Sequence, residues 1–268
     1  MLSVVCVVKA NTFLYWQKSW KEIIAYVTEE DKRERQTEDP HRRTILDKYT
    51  SYCRKVTYNY WVLLFITLVT SAVTPAVHYS SSSVYRENLR NGTEKFHHML
   101  SSWMPFDKEH SPGLWITIVW HITVSTYGVS NMGAYDTCAM VIMEFFGGKL
   151  DLLYDRCKTM LGTGGVPISD AEAAENVRKL HLEHLDVLKY SNQFNTMLSP
   201  VMFLYMILCA LMVCATAYQA TNETNTVKML FLLEFLTFSV IQLFIFCWHS
   251  NVVFVKFQKV SLGPYESQ

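Results

Sequence analysis

Charged side chains are almost missing from four long stretches of the 268-residue chain, although Lys, Arg, Asp and Glu make up 18% of it. These stretches are residues 56–79, 113–147, 195–220 and 228–251. A soluble domain distributes charges over all of its amphipathic elements, so this segregation is typical of alternating membrane spans and aqueous loops. The formal net charge of +0 also argues against a nucleic-acid-binding surface and against an acidic disordered chain, so no nucleic-acid partner is expected.

The sequence also lacks the motifs of disulfide scaffolds, metal sites and enzymes. The cysteines number seven, lie mostly in or beside apolar stretches, and have no zinc-finger spacing. His181 and His184 are close on a helix, but no third metal ligand is indicated. The GTGG sequence at 162–165 has no Lys-Ser/Thr after it and no strand before it, so we interpret it as a flexible turn. We therefore predict no enzyme, no catalytic residue, no metal and no cofactor.

The stretch from Lys228 to Asn251 contains one acid and no other full charge after Lys228. About twenty helical residues cover roughly 30 Å, the thickness of the hydrocarbon core of a bilayer. The sequence therefore predicts an all-α, multi-span membrane protein with four full transmembrane helices, at about 58–79, 113–138, 195–220 and 228–251. We expect one transmembrane domain over 1–257, in which 1–16 are the last turns of an earlier helix, and an unstructured tail at 258–268.

The positions of Lys and Arg predict the orientation of the chain in the membrane. Residues 18–55 contain ten of them, so by the positive-inside rule this segment is cytoplasmic. The loop 80–112 is then external, and it contains an N-glycosylation sequon at Asn91. A second sequon, at Asn222, lies in the short polar turn 219–227, which the same alternation also places outside. The segment 149–192 is accordingly cytoplasmic, and the expected location is the plasma membrane.

Several helices are expected to extend beyond the lipid into the cytoplasm. A helix from Gly113 to Gly147 would cover roughly 50 Å, which is too long for a bilayer. Asp136 would then lie at the inner interface, where a carboxylate is tolerated. We expect a break at Gly147-Gly148, followed by a second amphipathic helix. Ser169 to Glu172 (SDAE) predicts the capped start of a cytoplasmic helix that continues directly into the third span.

The outward-facing halves of the spans contain aromatic, Met, Val and Thr residues, which would form a mostly apolar pocket with a few hydrogen-bonding groups. Such a pocket suits a small volatile or lipophilic ligand. His121 is a candidate because ionisable groups inside a membrane are often functional. For His121 the alternative is a neutral histidine bonded to backbone or Ser/Thr, and for the other residues it is ordinary lipid or helix contact. The candidate ligand-binding residues are Val69, Thr70, Val73, Ile118, Trp120, His121, Ile122, Ser125, Met212 and Tyr218.

The order of several short motifs resembles that of the insect odorant receptor family, over Met1 to about Phe257. The resembling residues are Trp103-Met104-Pro105-Phe106-Asp107, Ser111-Pro112, Asp136, His184, Ala217-Tyr218-Gln219-Ala220-Thr221, Gln242, Phe244, Phe246, Cys247 and Asn251. The resemblance implies a subunit of a tetrameric, odorant-gated cation channel of sensory neurons, which assembles in the lipid bilayer with a shared co-receptor. It also implies a small odorant as ligand.

Two features depart from the family pattern. Trp120 and His121 stand where the family usually has Tyr and Gln. By this register the chain begins inside the second family helix and stops after the sixth, so the resemblance implies an incomplete chain without the pore helix. A gustatory receptor of the same superfamily, or another membrane receptor or transporter, remains an alternative.

Overall fold

The structure is a computed structural model that describes residues 2–37, 39–93, 95–96, 98–100, 102–159, 169–222 and 226–263. Within these ranges the chain forms α-helices and no β-strand. The all-α prediction is therefore confirmed. The helices are α1 (Leu2–Tyr15), α2 (Gln17–Arg35), α3 (Pro40–Ser81), α4 (Ser83–Arg90), α5 (Gly113–Thr159), α6 (Asp170–Asn222) and α7 (Thr226–Leu262).

Three helices are long and apolar enough to cross a membrane within the described part of the chain. The candidate spans are Pro40–Ser81, Asp170–Gln219 and Leu232–Leu262. They overlap three of the four predicted spans, those at 58–79, 195–220 and 228–251. The fourth lies in α5, which is 47 residues long but carries polar residues such as His121 and Asn131 in its N-terminal half. The count of four spans therefore remains a prediction.

The chain divides into two compact units. Unit 1 consists of Met1–Val7, Asn59–Ala134 and Ile207–Ile241, and unit 2 consists of Val8–Tyr58, Tyr135–Met206 and Gln242–Gln268. In unit 1, α3 and α5 approach closely, since a Cβ added to Gly133 would lie only 2.7 Å from Leu64 Cδ1. In unit 2 the Trp20 ring contacts the rings of Tyr135 and Phe194, with centroids 5.7 and 6.0 Å away.

The expected helix break at Gly147-Gly148 does not occur, because α5 continues to Thr159. A glycine inside a helix costs only about 1 kcal/mol relative to alanine, which packing on both sides can offset. Because glycine has no side chain, other residues pack closely against α5 at these two positions. A Cβ on Gly147 would lie 3.2 Å from Lys256 Nζ, and one on Gly148 would lie 3.3 Å from Tyr49 Cγ. The two glycines permit close packing rather than ending the helix.

The start of α6 and the end of α7 test two further predictions. The Glu172 amide donates to Ser169 Oγ at 3.3 Å, so the predicted cap is confirmed, and α6 runs uninterrupted into the third predicted span. The expectation of an unstructured tail from 258 was wrong as far as Leu262. These residues are helical, and Val260 is buried, so apolar packing extends α7. Residues 162–165 and 264–268 lie outside the described residues.

An ionic network occupies the part of unit 2 that the charge pattern places in the cytoplasm. The buried Glu34 carboxylate accepts from Lys149 Nζ at 2.5 Å and from Arg156 at 2.7 Å. Lys149 also pairs with Glu30 at 2.6 Å, and Arg156 pairs with Glu183. Burial raises the pKa of Glu34, but its hydrogen bonds to Lys149 and the two nearby positive charges outweigh burial and hold that pKa below its ordinary value.

We expect Glu34→Gln to destabilise the protein at neutral pH by about 1–3 kcal/mol, because buried donors on Lys149 and Arg156 lose an anionic partner. A carboxyl group with a depressed pKa stabilises the fold above its unfolded pKa, and this contribution disappears as the pH falls through the folded value. The gap between wild type and variant should therefore close in acid. Thermal unfolding in detergent between about pH 7 and pH 3 measures it.

Glu175→Gln is the matched control, because Glu175 pairs with Arg178 one turn away on an exposed face. Surface pairs contribute little to stability, so this variant should unfold like wild type at neutral pH. A constant difference between Glu34→Gln and wild type at all pH values would contradict the role assigned to the network.

Candidate functional site

His121 lies on α5 in unit 1 and is only 2% exposed. Its Nε2 is 2.7 Å from the hydroxyl oxygen of Ser102, a residue of the loop that precedes α5. Its other ring nitrogen, Nδ1, is buried and has no hydrogen-bond partner in the described part of the chain. A buried polar atom without a partner costs about 1–3 kcal/mol, so a ligand that hydrogen-bonds to Nδ1 would recover part of that cost.

The loop before α5 contacts the helix at two further positions. The His98 ring stands perpendicular to the His121 ring, with centroids 5.7 Å apart. The Ser125 hydroxyl donates to Met99 Sδ at 3.8 Å, one turn further along α5. Lys108 Nζ donates to the backbone oxygen of Ser102 at 3.3 Å, which fixes this part of the loop. Two predicted site residues, His121 and Ser125, therefore contact the same loop, which the sequence analysis did not include in the site.

A second polar contact in unit 1 joins α3 to α7. Thr70 Oγ1 lies 2.7 Å from Glu234 Oε1, and 3.0 Å from the backbone oxygens of Ile66 and Thr67. Glu234 is the single acid of the apolar stretch at 228–251. Among the described residues no cation forms an ion pair with it. A sequence signal for Glu234 was available, because an isolated acid in a span usually has a specific role.

The ten predicted ligand-binding residues all fall in unit 1, but their environments differ. His121 and Met212 are buried, and Thr70, Ile118 and Ser125 are half-buried. The other five are exposed, most strongly Tyr218 at 73%. The exposed residues are Val69, Val73, Trp120, Ile122 and Tyr218. The assignment of these ten residues to a ligand site remains a prediction.

Two grooves lie in unit 2, and none of the ten residues lines them. One, of about 530 Å³, runs between α6 and α7, where Met202, Phe203 and Phe254 contribute apolar walls. The other, of about 540 Å³, has a mixed lining that includes Asp31, Arg35 and Tyr49. Of the two sequons, Asn91 is exposed at the end of α4, and the one at Asn222 extends into residues that the structure does not describe.

A buried ion pair in unit 2 was missed by sequence reasoning. Lys9 Nζ on α1 lies 2.6 Å from Asp136 Oδ1 on α5, with the two side chains 1% and 0% exposed. The amide of Gln242 on α7 donates to Asp136 Oδ2 at 2.5 Å, and the hydroxyl of Tyr205 on α6 donates to Gln242 Oε1 at 2.8 Å. We call Lys9, Asp136, Gln242 and Tyr205 the buried polar cluster.

The Asp136 carboxylate is thus held by protein groups, and its position at the inner membrane interface remains a prediction. Three aromatic rings surround the Lys9 ammonium, those of Tyr205, Tyr135 and Phe246, with centroids 5.1, 5.6 and 5.7 Å away. Cation–π attraction adds to the ion pair. The signal in the sequence was a lone cation in one apolar segment and a lone anion in another.

No group of three or more His, Cys, Asp or Glu residues that could hold an ion occurs among the described residues. The pKa of His184 on α6 is lowered by burial and by the neighbouring His181.

Comparison with solved structures finds the fold of an insect olfactory receptor. The chain is similar to the insect olfactory receptor OR5 from Machilis hrabei, with a TM-score of 0.78 and 15% identity over 97% of this chain and 62% of that one. It is also similar to the same receptor in complex with eugenol, with a TM-score of 0.71 and 14% identity over 98% of this chain and 68% of that one. The chain thus spans just under two thirds of the first of these structures. A comparison with curated protein sequences found no match.

The sequence model of the 7tm Odorant receptor family matches residues 1–268, the whole chain. This agrees with the all-helical fold and with the resemblance of the short motifs. It is a family of receptors and not of enzymes, and the apolar helices are those of a multi-pass membrane protein. The chain belongs to the 7tm Odorant receptor family.

Proposed function

We propose that this protein is an odorant receptor that binds small, mostly apolar molecules through the outer part of unit 1. The observation that carries the proposal is the buried His121, whose Nδ1 has no partner among the described residues, on a helix with apolar neighbours. A pocket with apolar walls and few polar groups binds by surface burial and selects by hydrogen bonding. The structure of the Machilis hrabei receptor with eugenol supports a small oxygenated aromatic compound as one ligand class to test.

We further propose that the chain acts in the plasma membrane of sensory neurons, as the ligand-binding subunit of a heteromeric, odorant-gated cation channel that contains the shared co-receptor. Membership of the family supports this assignment. Glycosylation at the exposed Asn91, and at Asn222, would accompany an external position of both sequons.

Ligand binding by the purified chain tests the proposed function directly. The protein is reconstituted in lipid nanodiscs and titrated with eugenol, ketones, alcohols and alkanes while tryptophan fluorescence is recorded, since Trp115 and Trp120 lie on α5 near His121. We expect saturable quenching by at least one oxygenated class, which competition between ligands reduces. Quenching that never saturates with any class, as partitioning into lipid would produce, would contradict the proposal.

The proposed orientation predicts which engineered thiols react from outside the cell. We expect Glu87→Cys, in the external segment 80–112, to be labelled in intact cells by an impermeant maleimide. Lys179→Cys, in the cytoplasmic segment 149–192, should react only after permeabilisation. Both side chains are exposed, so access alone does not distinguish them. The background protein lacks the native cysteines, and labelling of Lys179→Cys from outside would overturn the orientation.

A further inference from the structure

The hydrogen bond between Ser102 and His121 determines which kind of group His121 presents to a ligand. A neutral imidazole carries one proton, so one ring nitrogen donates and the other accepts. The nitrogen bonded to Ser102 is Nε2, at 2.7 Å. If the Ser102 hydroxyl donates to Nε2, the unpartnered Nδ1 carries the proton and is a donor. If the hydroxyl accepts from Nε2, Nδ1 is an acceptor.

Two arguments favour the serine as donor. If Nε2 carried the proton, the Ser102 hydroxyl proton would need another acceptor, and no such bond occurs among the described residues. In addition, an imidazole nitrogen is a better acceptor than a hydroxyl oxygen, so the O–H···N arrangement is the stronger of the two. The proton of His121 then lies on Nδ1, which becomes a buried donor without a partner.

We propose that Ser102 is a positioning residue that holds His121 in the tautomer with Nδ1 protonated, and that the site therefore selects ligands with an acceptor oxygen, above all carbonyl compounds. This inference rests on the proposed function and adds the chemical class of the ligand. A carbonyl oxygen accepts without needing to donate, so it matches a lone N–H group. An alcohol also accepts, but its own proton then lacks a partner in an apolar pocket, which lowers its affinity relative to the ketone.

Contacts within the loop before α5 hold Ser102 close to His121. Lys108 holds the backbone of Ser102, and Met99 anchors the same loop to Ser125 on α5. These contacts keep the Ser102 hydroxyl within hydrogen-bonding distance of Nε2. Loss of the hydroxyl leaves the ring in place but removes the preference between tautomers.

The experiment uses the whole chain in nanodiscs, with a straight-chain methyl ketone, the matched secondary alcohol and the matched alkane as probes. Ser102→Ala should weaken ketone binding about tenfold and leave alkane binding within about twofold. Ser102→Thr, which keeps the hydroxyl, should restore the preference for the ketone. Thr123→Ala is the matched control, since Thr123 is an exposed hydroxyl on α5 that donates to its own helix at Val119.

Histidine-selective nitrogen NMR, with the His121 signal assigned by loss in His121→Phe, reports the tautomer independently of binding. We expect the protonated nitrogen to be Nδ1 in wild type and in Ser102→Thr, and a mixture of tautomers in Ser102→Ala. An Nε2-protonated ring in wild type would overturn this inference but not the proposed function. An unchanged ratio of ketone to alkane affinity in Ser102→Ala would do the same. If the wild type bound none of the three probes, this inference would fail, and the proposed function would fail with it only if eugenol also showed no saturable binding.

Discussion

Replacing Lys9 by Met should destabilise the protein by about 3–5 kcal/mol, because the Asp136 carboxyl group would stay buried without its cationic partner. Gln242 alone cannot neutralise a carboxylate, although its amide would still donate to Asp136 Oδ2. Breaking a buried ion pair from one side is among the most destabilising single substitutions. The loss can be measured as the shift in thermal unfolding of the purified protein in detergent.

The double variant Lys9→Met with Asp136→Leu separates the ion pair from simple packing. Two apolar residues of similar volume often replace a buried pair at little cost, so the double variant should recover most of the lost stability. Arg178→Met is the matched control, since its guanidinium pairs with Glu175 on an exposed face, and it should unfold like wild type. Additive effects of the two single substitutions would contradict the pairing of Lys9 with Asp136.

The buried polar cluster links four helices to one another. Lys9, Asp136, Tyr205 and Gln242 come from α1, α5, α6 and α7. If one of these helices slid by a turn, about 5.4 Å, a charge or an amide would be left without its partner. The cluster therefore favours one register of the four helices within unit 2.

His121→Phe should re-rank ligands in favour of hydrocarbons over ketones and alcohols. The substitution removes the donor that oxygenated ligands need and adds apolar surface for alkanes. A hydrogen-bond difference of about 1–3 kcal/mol corresponds to a change of about 5- to 150-fold in the ratio of ketone to alkane affinity. Fluorescence titrations of wild type and variant with matched ligand pairs provide the measurement.

Ile122→Ala is the matched control for this prediction. It removes apolar surface at the neighbouring position, so all ligands should weaken together by about 1 kcal/mol and their ranking should stay the same. Dose–response curves of His121→Phe that remained parallel to wild type for both ligand classes would assign His121 to helix packing rather than to the ligand site.

Local patterns explain why much of the fold was predictable. The apolar stretches around Leu64, Met212 and Phe244 are long enough to span a bilayer, and each lies in a long helix. The cap at Ser169 was also predictable, because its partner Glu172 is three residues away. At Gly147-Gly148 the same reasoning failed. Glycine has a low helix propensity, but contacts of Tyr49 and Lys256 with α5 determined the outcome.

The candidate site was predictable only in its location along the helices. Sequence reasoning named His121, an ionisable group in a span, and Thr70, which lies in the outward-facing half of another. It did not assign Ser102 or Glu234 to the site, although they contact these two residues. Ser102 lies in a loop whose sequence has no periodicity, so nothing local indicates which helix residue its hydroxyl reaches.

The sequence by itself determined that this protein consists of long apolar helices, since segregation of charge and the length of each apolar stretch are properties of neighbouring residues. Only the tertiary structure decided which polar groups meet. Lys9 and Asp136 are 127 positions apart, and Thr70 and Glu234 are 164 apart. Such pairs form because burying an unpaired charge or hydroxyl costs several kcal/mol, and that cost depends on how helices from distant parts of the chain pack.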